Sequence, residues 1–295
     1  DVVSQEFGDD ITAYSTFNEP WCSSFLSYDL GIHAPGIKNK RMALQVAHHL
    51  LLAHGLALPV LKKNAPNAKH GIVLNFTPAY PASNTHADYL AAELSDAETG
   101  HWFIQPLMEK TYPQSVLNAY PEDRPLILEN DMKIIGSPID FLGVNYYTRS
   151  VVRANKIGEN PYYQEVKLPD VDRTAMDWEI YPKALTRLLT QLNHKYQLPP
   201  IFITENGAAF DDRLENGAIN DEPRIKYFQT HLDAVNQAID KGVNIQGYFA
   251  WSLMDNFEWA EGYLKRFGLV YVDYKSQKRI VKNSGKAFQK LLGSR

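Results

Sequence analysis

Two short segments of the chain each place a glutamate beside an asparagine at the end of an apolar, β-branched run. The first is TFNEP, which contains Asn18 and Glu19, and the second is ITENG, which contains Glu205 and Asn206. A side chain at the end of a strand is held more precisely than one on a loop. Asn-Gly is also a strong turn signal, so the second segment alone is compatible with a simple turn. Together the two segments predict two carboxylates on rigid strand ends.

Two carboxyl groups that face each other can act as a proton donor and a nucleophile. Hydrolysis of a glycosidic bond with retention needs such a pair about 5–5.5 Å apart, and neither group requires a metal. One carboxyl donates a proton to the leaving oxygen while the other attacks the anomeric carbon. Two like charges at this distance resist ionising together. We therefore expect the nucleophile to be ionised near neutral pH while the acid keeps its proton.

The elements that must position these carboxylates follow an alternating pattern. Short β-branched runs cover residues 11–17, 71–76, 140–146, 200–204 and 245–250. Between them, segments with helical periodicity cover residues 40–63, 87–109, 183–196 and 222–241. This order predicts an α/β fold with a parallel sheet covered by helices. Either a doubly wound sheet or a (β/α)8 barrel would satisfy it.

Polar side chains at the strand ends favour the barrel. They are Asn18, Glu19, Asn75, Asn145, Tyr147, Glu205, Asn206 and Trp251. In a barrel all these ends converge on one face, where barrel enzymes build their sites. The sequence contains no GxGxxG or GxxxxGK[ST] fingerprint for a dinucleotide or nucleotide. We therefore predict a (β/α)8 (TIM) barrel, to which this chain contributes five recognisable strands.

Composition excludes several classes of partner. The 295 residues are 44% hydrophobic and carry a net charge of −4 without a polybasic block, which argues against nucleic-acid binding. The longest apolar stretch, residues 49–61, contains histidines and a proline, so we predict no membrane span. The single cysteine, Cys22, fits a reducing, cytoplasmic location and is interpreted as a packing residue. The histidines at 48, 49 and 54 lack the i, i+4 spacing of a helical zinc pair, so no metal site is predicted.

Four segments, in order along the chain, resemble glycoside hydrolase family 1, the β-glucosidases and their relatives. They are TFNEP at 16–20, FLGVNYYTR at 141–149, ITENG at 203–207 and WSLMDNFEWAEGYLKRFGLVYVD at 251–273. The resemblance covers essentially the whole chain. It implies a single catalytic barrel domain over residues 1–295, with this chain supplying roughly strands four to eight, and it implies no cofactor.

The resemblance also implies roles for the residues of the first three segments. Glu19 corresponds to the general acid/base and Glu205 to the nucleophile. Asn18 would hydrogen-bond the sugar 2-hydroxyl, a contact that strengthens in the transition state. Asn145 would lie near the nucleophile, and the Tyr147 hydroxyl would hold the nucleophile in line for attack.

The last segment supplies the expected contacts to the glycone, the sugar that is transferred. Trp251 resembles the family's stacking platform, and Glu258 resembles the acceptor for two neighbouring hydroxyls. Trp259 would donate to a further hydroxyl, and Phe267 would close one wall of the pocket. On the outer side, where the leaving group lies, the resemblance implies a contribution from Trp21, His33 and Trp178.

Within the family, the residues favour an unphosphorylated β-glucoside or cello-oligosaccharide as the substrate. A 6-phospho-β-glucosidase is the alternative, but the Glu258 carboxylate would repel a phosphate dianion where that enzyme needs a cation. Thioglucosidases lack the acid glutamate that Glu19 represents. Glucose, galactose and fucose are not distinguished by these residues.

The chain departs from the family pattern at its beginning. The family's acid/base glutamate follows the fourth barrel strand, yet Glu19 follows the first strand here. A Gln, a His-Trp pair and an Arg that the family uses around the glycone and nucleophile cannot be assigned. We therefore expect the C-terminal portion of a longer enzyme, completed by an N-terminal barrel portion or by a second chain. Alternatively, the chain alone is inactive and binds a sugar or a complementing chain without catalysis.

Overall fold

A five-stranded parallel sheet forms the centre of the protein in the computed structural model, which describes residues 1–156 and 162–293. The strands are β1 (Ala13–Asn18), β2 (Lys69–Phe76), β4 (Phe141–Tyr146), β7 (Ile201–Asn206) and β10 (Ile245–Ala250). They pair in the order β1-β2-β4-β7-β10. Neighbours in the sheet therefore follow one another along the chain, as in consecutive units of a barrel.

Helices lie before, between and after the strands of this sheet. They are α1 (Val2–Phe7), α2 (Lys40–Asn64), α3 (His86–Asp96), α4 (Trp102–Glu109), α5 (Gln114–Ala119), α6 (Asp131–Ile135), α7 (Pro182–Lys195), α8 (Glu222–Asp240) and α9 (Asn283–Gly293). The apolar faces of α2, α7 and α8 pack with the strands in one core cluster. The predicted helices agree with the observed bounds within about two residues, except at 87–109. There a π-helical turn, Ala97–His101, separates α3 from α4.

Three small sheets were not predicted from the sequence. Strands β3 (Ala79–Pro81), β5 (Ser150–Ala154) and β6 (Tyr163–Glu165) form one of them. The other two are the hairpins β8 (Leu214–Glu215) with β9 (Ala218–Ile219), and β11 (Val270–Val272) with β12 (Arg279–Val281). Strands of two to five residues are too short to give a clear alternating pattern.

The register of the central sheet brings the polar strand ends together. Asn145 of β4 is the register partner of both Asn75 on β2 and Glu205 on β7. Asn18 of β1 is paired with Val73, which lies two residues before Asn75 on β2. All the strands are parallel, so their C-terminal ends lie on the same edge of the sheet.

Helix α2 has the length and hydropathy that a membrane span would need. Its residues Ala43, Leu44, Ala47 and Leu51 are nevertheless buried in the core cluster against the central sheet. A core helix of a barrel meets the same criteria of length and composition, so this helix carries little weight as a membrane segment.

Candidate active site

Glu19 and Glu205 lie in one hydrogen-bonded chain at the C-terminal edge of the sheet. The Asn145 side-chain amide donates to Glu19 Oε1 at 2.8 Å and to Asn18 Oδ1 at 3.0 Å. The Asn18 amide in turn donates to Glu205 Oε1 at 3.2 Å. Two amides therefore link the two carboxylates, and the structure brings together the residues of the two glutamate motifs.

The other oxygen of Glu205 is held by Tyr147. The Tyr147 hydroxyl donates to Glu205 Oε2 at 2.5 Å, so both oxygens of this carboxylate have a donor. The hydroxyl is buried, and burial raises the pKa of Tyr147 well above its usual range, with the Glu205 charge adding to the effect. Tyr147 therefore remains a hydrogen-bond donor at any physiological pH.

Ionisation of Glu205 is less favourable than the sequence predicted. Burial, followed by the charge of Glu19, raises the pKa of Glu205 to about 7, although the bonds from Tyr147, Asn18 and Asn145 oppose the rise. Among the residues that the structure describes, no Lys or Arg forms an ion pair with Glu205. Near neutral pH the carboxyl is only partly ionised, because the uncharged donors Tyr147, Asn18 and Asn145 stabilise the carboxylate too little to offset the effect of burial on its pKa.

Glu19 occupies a strained backbone position. Its φ is +51°, a region that residues with a side chain rarely adopt. Strain of this kind is concentrated at functional sites, where the surrounding structure enforces it. The Glu19 backbone N–H is held by the Val73 carbonyl at 3.0 Å, which fixes the turn after β1.

The Cys22 thiol contacts Glu19, which the interpretation as a packing residue missed. Cys22 Sγ donates to Glu19 Oε2 at 3.0 Å, and the Cys22 N–H also donates to the Glu19 carbonyl at 2.9 Å. Burial and then the Glu19 charge raise the pKa of Cys22 well above its ordinary value. Glu19 immediately precedes the helical turn that contains Cys22, and their spacing of three residues was the available signal.

Thr204 is a second neighbour of the candidate site that the sequence analysis did not select. Its hydroxyl donates to Asn145 Oδ1 at 2.6 Å. This bond orients the Asn145 side chain so that its Nδ2 faces Asn18 and Glu19. The positions of the oxygen and the nitrogen in the Asn145 amide are thus both defined by their hydrogen-bond partners.

Aromatic rings form one wall of the site. The ring of Tyr147 lies 5.4 Å from that of Trp178 and 6.1 Å from that of Phe267. Trp178 is held in place by the next residue, Glu179, which pairs with Arg149 at 2.8 Å and with Arg173 at 3.1 Å. Phe267 is buried, whereas Trp178 is partly exposed.

Trp251 directly follows β10 and approaches the end of β7. Its backbone N–H donates to the Asn206 carbonyl at 2.9 Å. A Cβ on Gly207 would lie 1.8 Å from the Trp251 carbonyl oxygen. Gly207 therefore permits this close approach, and it is not one of the glycines with a positive φ.

Glu258 and Trp259 lie in the segment between β10 and β11. Burial and the charge of Glu19 raise the pKa of Glu258, and the charge of Glu258 in turn raises the pKa values of Cys22 and Tyr147, so Glu258 is close enough to the site to interact electrostatically with it. Trp259 is 71% exposed, and its ring stacks at 6.1 Å on that of His33. These two outer rings form an open rim.

Trp21 lies deeper than its expected place on the outer side. Its ring stacks on Phe25 at 6.2 Å, and it packs against the main core cluster. The Trp21 Nε1 atom is buried without a hydrogen-bond partner. In the part of the chain that the structure describes, no three His, Cys, Asp or Glu side chains gather as metal ligands would.

Comparison with known proteins gives a consistent result. The sequence matches the family described as Glycosyl hydrolase family 1 over residues 1–295. A beta-glucosidase of Agrobacterium sp. is 43% identical over 292 residues, covering 98% of this chain and 64% of that protein. The chain thus spans less than two thirds of the length of this curated relative.

Solved structures agree with the sequence relatives. The AHE enzyme from Alicyclobacillus herbarius is 43% identical with a TM-score of 0.95, covering 99% of this chain and 66% of that one. A family 1 b-glucosidase from Thermotoga maritima in complex with isofagomine lactam is 39% identical with a TM-score of 0.94 and the same two coverages. These neighbours are (β/α)8 barrels, so the predicted fold is confirmed, with this chain covering about two thirds of them.

Proposed function

Since this chain belongs to glycosyl hydrolase family 1, we propose that it carries the two catalytic carboxylates of a retaining β-glycosidase that acts on unphosphorylated β-glucosides. The observation that carries the proposal is the hydrogen-bonded chain from Glu19 through Asn145 and Asn18 to Glu205. It keeps the two carboxylates on the same edge of the sheet, as a double displacement requires.

In the first step, a Glu205 oxygen attacks the anomeric carbon and the bond from that carbon to the leaving oxygen breaks. Glu19 gives its proton to this oxygen, so the aglycone departs as a neutral alcohol. In the second step, the Glu19 carboxylate takes a proton from water, the water oxygen attacks the anomeric carbon, and Glu205 is released as a carboxylate.

The neighbouring side chains fit these steps. The Tyr147 hydroxyl donates a hydrogen bond of 2.5 Å to one oxygen of Glu205. This bond holds the attacking carboxylate in a defined orientation. Asn18 lies between the two carboxylates, where its amide can also reach a sugar 2-hydroxyl. The reactive form has Glu205 ionised and Glu19 protonated, so the pair must keep one proton. Because the pair holds a proton with a pKa of about 7, turnover should fall as the pH rises above neutrality.

The choice of substrate rests on the last segment of the site. Glu258 adds a second negative charge beside Glu19, which disfavours a phosphorylated sugar. The partly exposed ring of Trp178 and the rim of His33 and Trp259 suit leaving groups of varied shape, including a further glucose unit.

We further propose that full activity requires additional β/α units, on the same polypeptide or on a second chain. Among the described strands, β1 pairs only with β2 and β10 only with β7, so both edges of the sheet are open. A site at the mouth of an open sheet admits water, which weakens every electrostatic contact within it. The free thiol of Cys22 also suits the cytoplasmic location expected from the sequence.

An aryl β-glucoside assay with three variants tests the function. We expect Glu205→Gln to abolish turnover, while the exposed Glu215→Gln leaves it unchanged. Glu19→Ala should retain the first step with a good leaving group and should recover when azide replaces the missing base. Equal rates for the wild type and for all three variants would contradict the proposed roles.

A second assay tests the need for further units. The rate of this chain, verified by intact mass, is compared with that of a curated relative such as the Agrobacterium enzyme. We expect the chain alone to be slower by about a hundredfold or more, since a loosened site loses transition-state contacts. Comparable rates would refute the requirement without affecting the assignment of the two carboxylates.

A further inference from the structure

Six charged side chains form a network of opposite charges behind the candidate site. They are Asp212, Asp221, Arg224, Asp255, Arg266 and Lys282. Three are acidic and three are basic, so their formal charges cancel. The side chains of Arg224, Asp255 and Lys282 are completely buried. Such a network is stable only when every member has its partners, because each buried charge has lost its water.

Asp255 is the member that reaches the segment between β10 and β11. Its carboxylate accepts from Arg266 Nη1 at 2.6 Å, from the Gly268 N–H at 2.9 Å and from Lys282 Nζ at 2.7 Å. It also accepts from the Val272 N–H at 3.3 Å. One carboxylate therefore joins the end of this segment to β11 and to the beginning of α9.

Lys282 connects Asp255 to Asp212 in the segment after β7, and Arg224 supports this connection. Arg224 binds both oxygens of Asp212 at 2.9 Å and donates to the Arg266 carbonyl at 2.8 Å. Lys282 donates to Asp212 at 2.5 Å. The segment after β7, which follows the nucleophile, is thus tied to the same network as the segment after β10.

Backbone bonds show that residues 252–270 form a loop with a closed base. The Ser252 N–H donates to the Phe267 carbonyl at 3.2 Å, and the Leu269 N–H donates to the Ser252 carbonyl at 2.8 Å. The Asp255 N–H donates to the Val270 carbonyl at 3.0 Å. Glu258 lies within this loop, and Phe267 lies at its base against Tyr147.

We propose that Asp255, held by Lys282, is a positioning residue that fixes the base of loop 252–270 and thereby directs Glu258 and Phe267 into the candidate site. The catalytic meaning of this position rests on the proposed function, whereas the anchoring itself does not. An uncharged side chain of the same shape has too few acceptor sites to replace the carboxylate toward four donors. Its introduction would also leave the Lys282 charge poorly compensated in the interior.

Hydrogen exchange followed by mass spectrometry tests the anchoring in the intact chain. In Asp255→Asn we expect the amides of residues 256–266 to exchange about tenfold faster or more, as in a local opening, while β2 and β4 keep their protection. Lys282→Met should give the same local pattern, which provides a second variant if the first folds poorly. The matched control is Asp131→Asn, a buried carboxylate paired with His48 at 2.9 Å and remote from this loop.

An unchanged loop in both variants would overturn the proposal, and so would faster exchange spread equally over the whole chain. This measurement needs no turnover, so it separates a failure of the anchoring from a failure of the proposed function. Kinetics on an aryl β-glucoside add a functional readout. Asp255→Asn should raise KM about tenfold with kcat changed much less, whereas Asp131→Asn should leave KM unaltered. Equal KM effects in the two variants would reduce Asp255 to a general structural role.

Discussion

At the scale of single residues, the carboxyl group of Glu205 couples the stability of the chain to pH. Its pKa is about 7 in the folded chain against an ordinary value of 4.5, so the folded state binds the proton more tightly. The stability that this proton contributes is fully present below about pH 4.5. It is lost as the pH rises towards 7, because the carboxyl ionises at lower pH in the unfolded chain than in the folded chain. Ionised Glu205, the proposed nucleophile, is therefore expected to destabilise the fold near neutral pH and above.

Replacement of Glu205 by Gln removes this coupling. We expect the variant to be more stable than the wild type by about 2 kcal/mol near pH 8 and equal to it near pH 4, as measured by urea unfolding. The figure is smaller than the full pKa difference would give, because the carboxylate keeps some contact with water. Glu215→Gln, at an exposed hairpin position, is the control and should change nothing at either pH. A Glu205→Gln variant that is less stable near pH 8 would contradict the direction of the pKa.

The contact between Cys22 and Glu19 makes the reactivity of the thiol a reporter of the charge on Glu19. Glu19→Gln removes the strongest charge that raises the pKa of Cys22, so more thiolate should be present at a given pH. We expect alkylation by iodoacetamide near pH 8 to accelerate about tenfold, as measured by mass spectrometry on a chain with a single cysteine.

Glu258→Gln provides the graded comparison, since Glu258 has the weakest of the named charge effects on Cys22. Its acceleration should be clearly smaller than that of Glu19→Gln. Identical rates in the wild type and in Glu19→Gln, at matched unfolding midpoints, would mean that the thiol and the carboxylate do not meet in solution.

The sequence identified most of these side chains because their types follow from the chemistry. Glu19, Asn18, Asn145, Tyr147 and Glu205 all stand at strand ends, and the register of the sheet brings them together. The contacts of Cys22 and Thr204 were missed, because they depend on side-chain directions that spacing does not define. The rise in the pKa of Glu205 was also not foreseen, since burial cannot be read from a motif.

At the scale of elements, Gly207 controls how β7 and the segment after β10 meet. We expect Gly207→Ala to destabilise the chain by about 2 kcal/mol or more, because its Cβ would overlap the Trp251 carbonyl oxygen, which lies 1.8 Å from the ideal position. Thermal or urea unfolding measures the loss. Gly293→Ala is the control, since no atom lies within 4 Å of its added Cβ. Equal stability of the two variants would mean that Trp251 can withdraw from β7 without loss.

The strands and long helices were predictable, whereas their interruptions were not. All five parallel strands were found from their apolar, β-branched runs. Strands β2 and β4 are buried along nearly their whole length, as expected for strands covered on both faces, whereas β1 and β10 are partly exposed. The π-helical turn at Ala97–His101 was missed because it preserves the apolar periodicity on either side. The short hairpins lie in the segments that follow β7 and β10. These segments are rich in polar residues and show no alternation of apolar and polar side chains from which a strand could be predicted.

At the scale of the whole molecule, the central sheet has two free edges among the described strands, β1 and β10. The sequence predicted this open arrangement by counting five strands where a barrel has eight. Edge β10 carries Phe249, which is 57% exposed and lies beside Gly247 on the face turned away from α9. The neighbouring Tyr248 ring packs on Phe288 of α9, on the helix-covered face. An unpaired strand with an exposed aromatic side chain invites pairing with another chain.

We therefore expect the purified chain to associate with itself as its concentration rises, and Phe249→Lys to suppress this association. A lysine at this position adds charge to the edge, and isolated chains that approach edge to edge would then repel one another. Sedimentation velocity over a wide range of concentration measures the effect. Leu126→Lys is the matched control, because Leu126 is 70% exposed but lies outside every strand. A wild-type chain that stays monomeric at high concentration, or a control that acts as strongly as Phe249→Lys, would show that the free edge of β10 is not the surface on which this molecule associates.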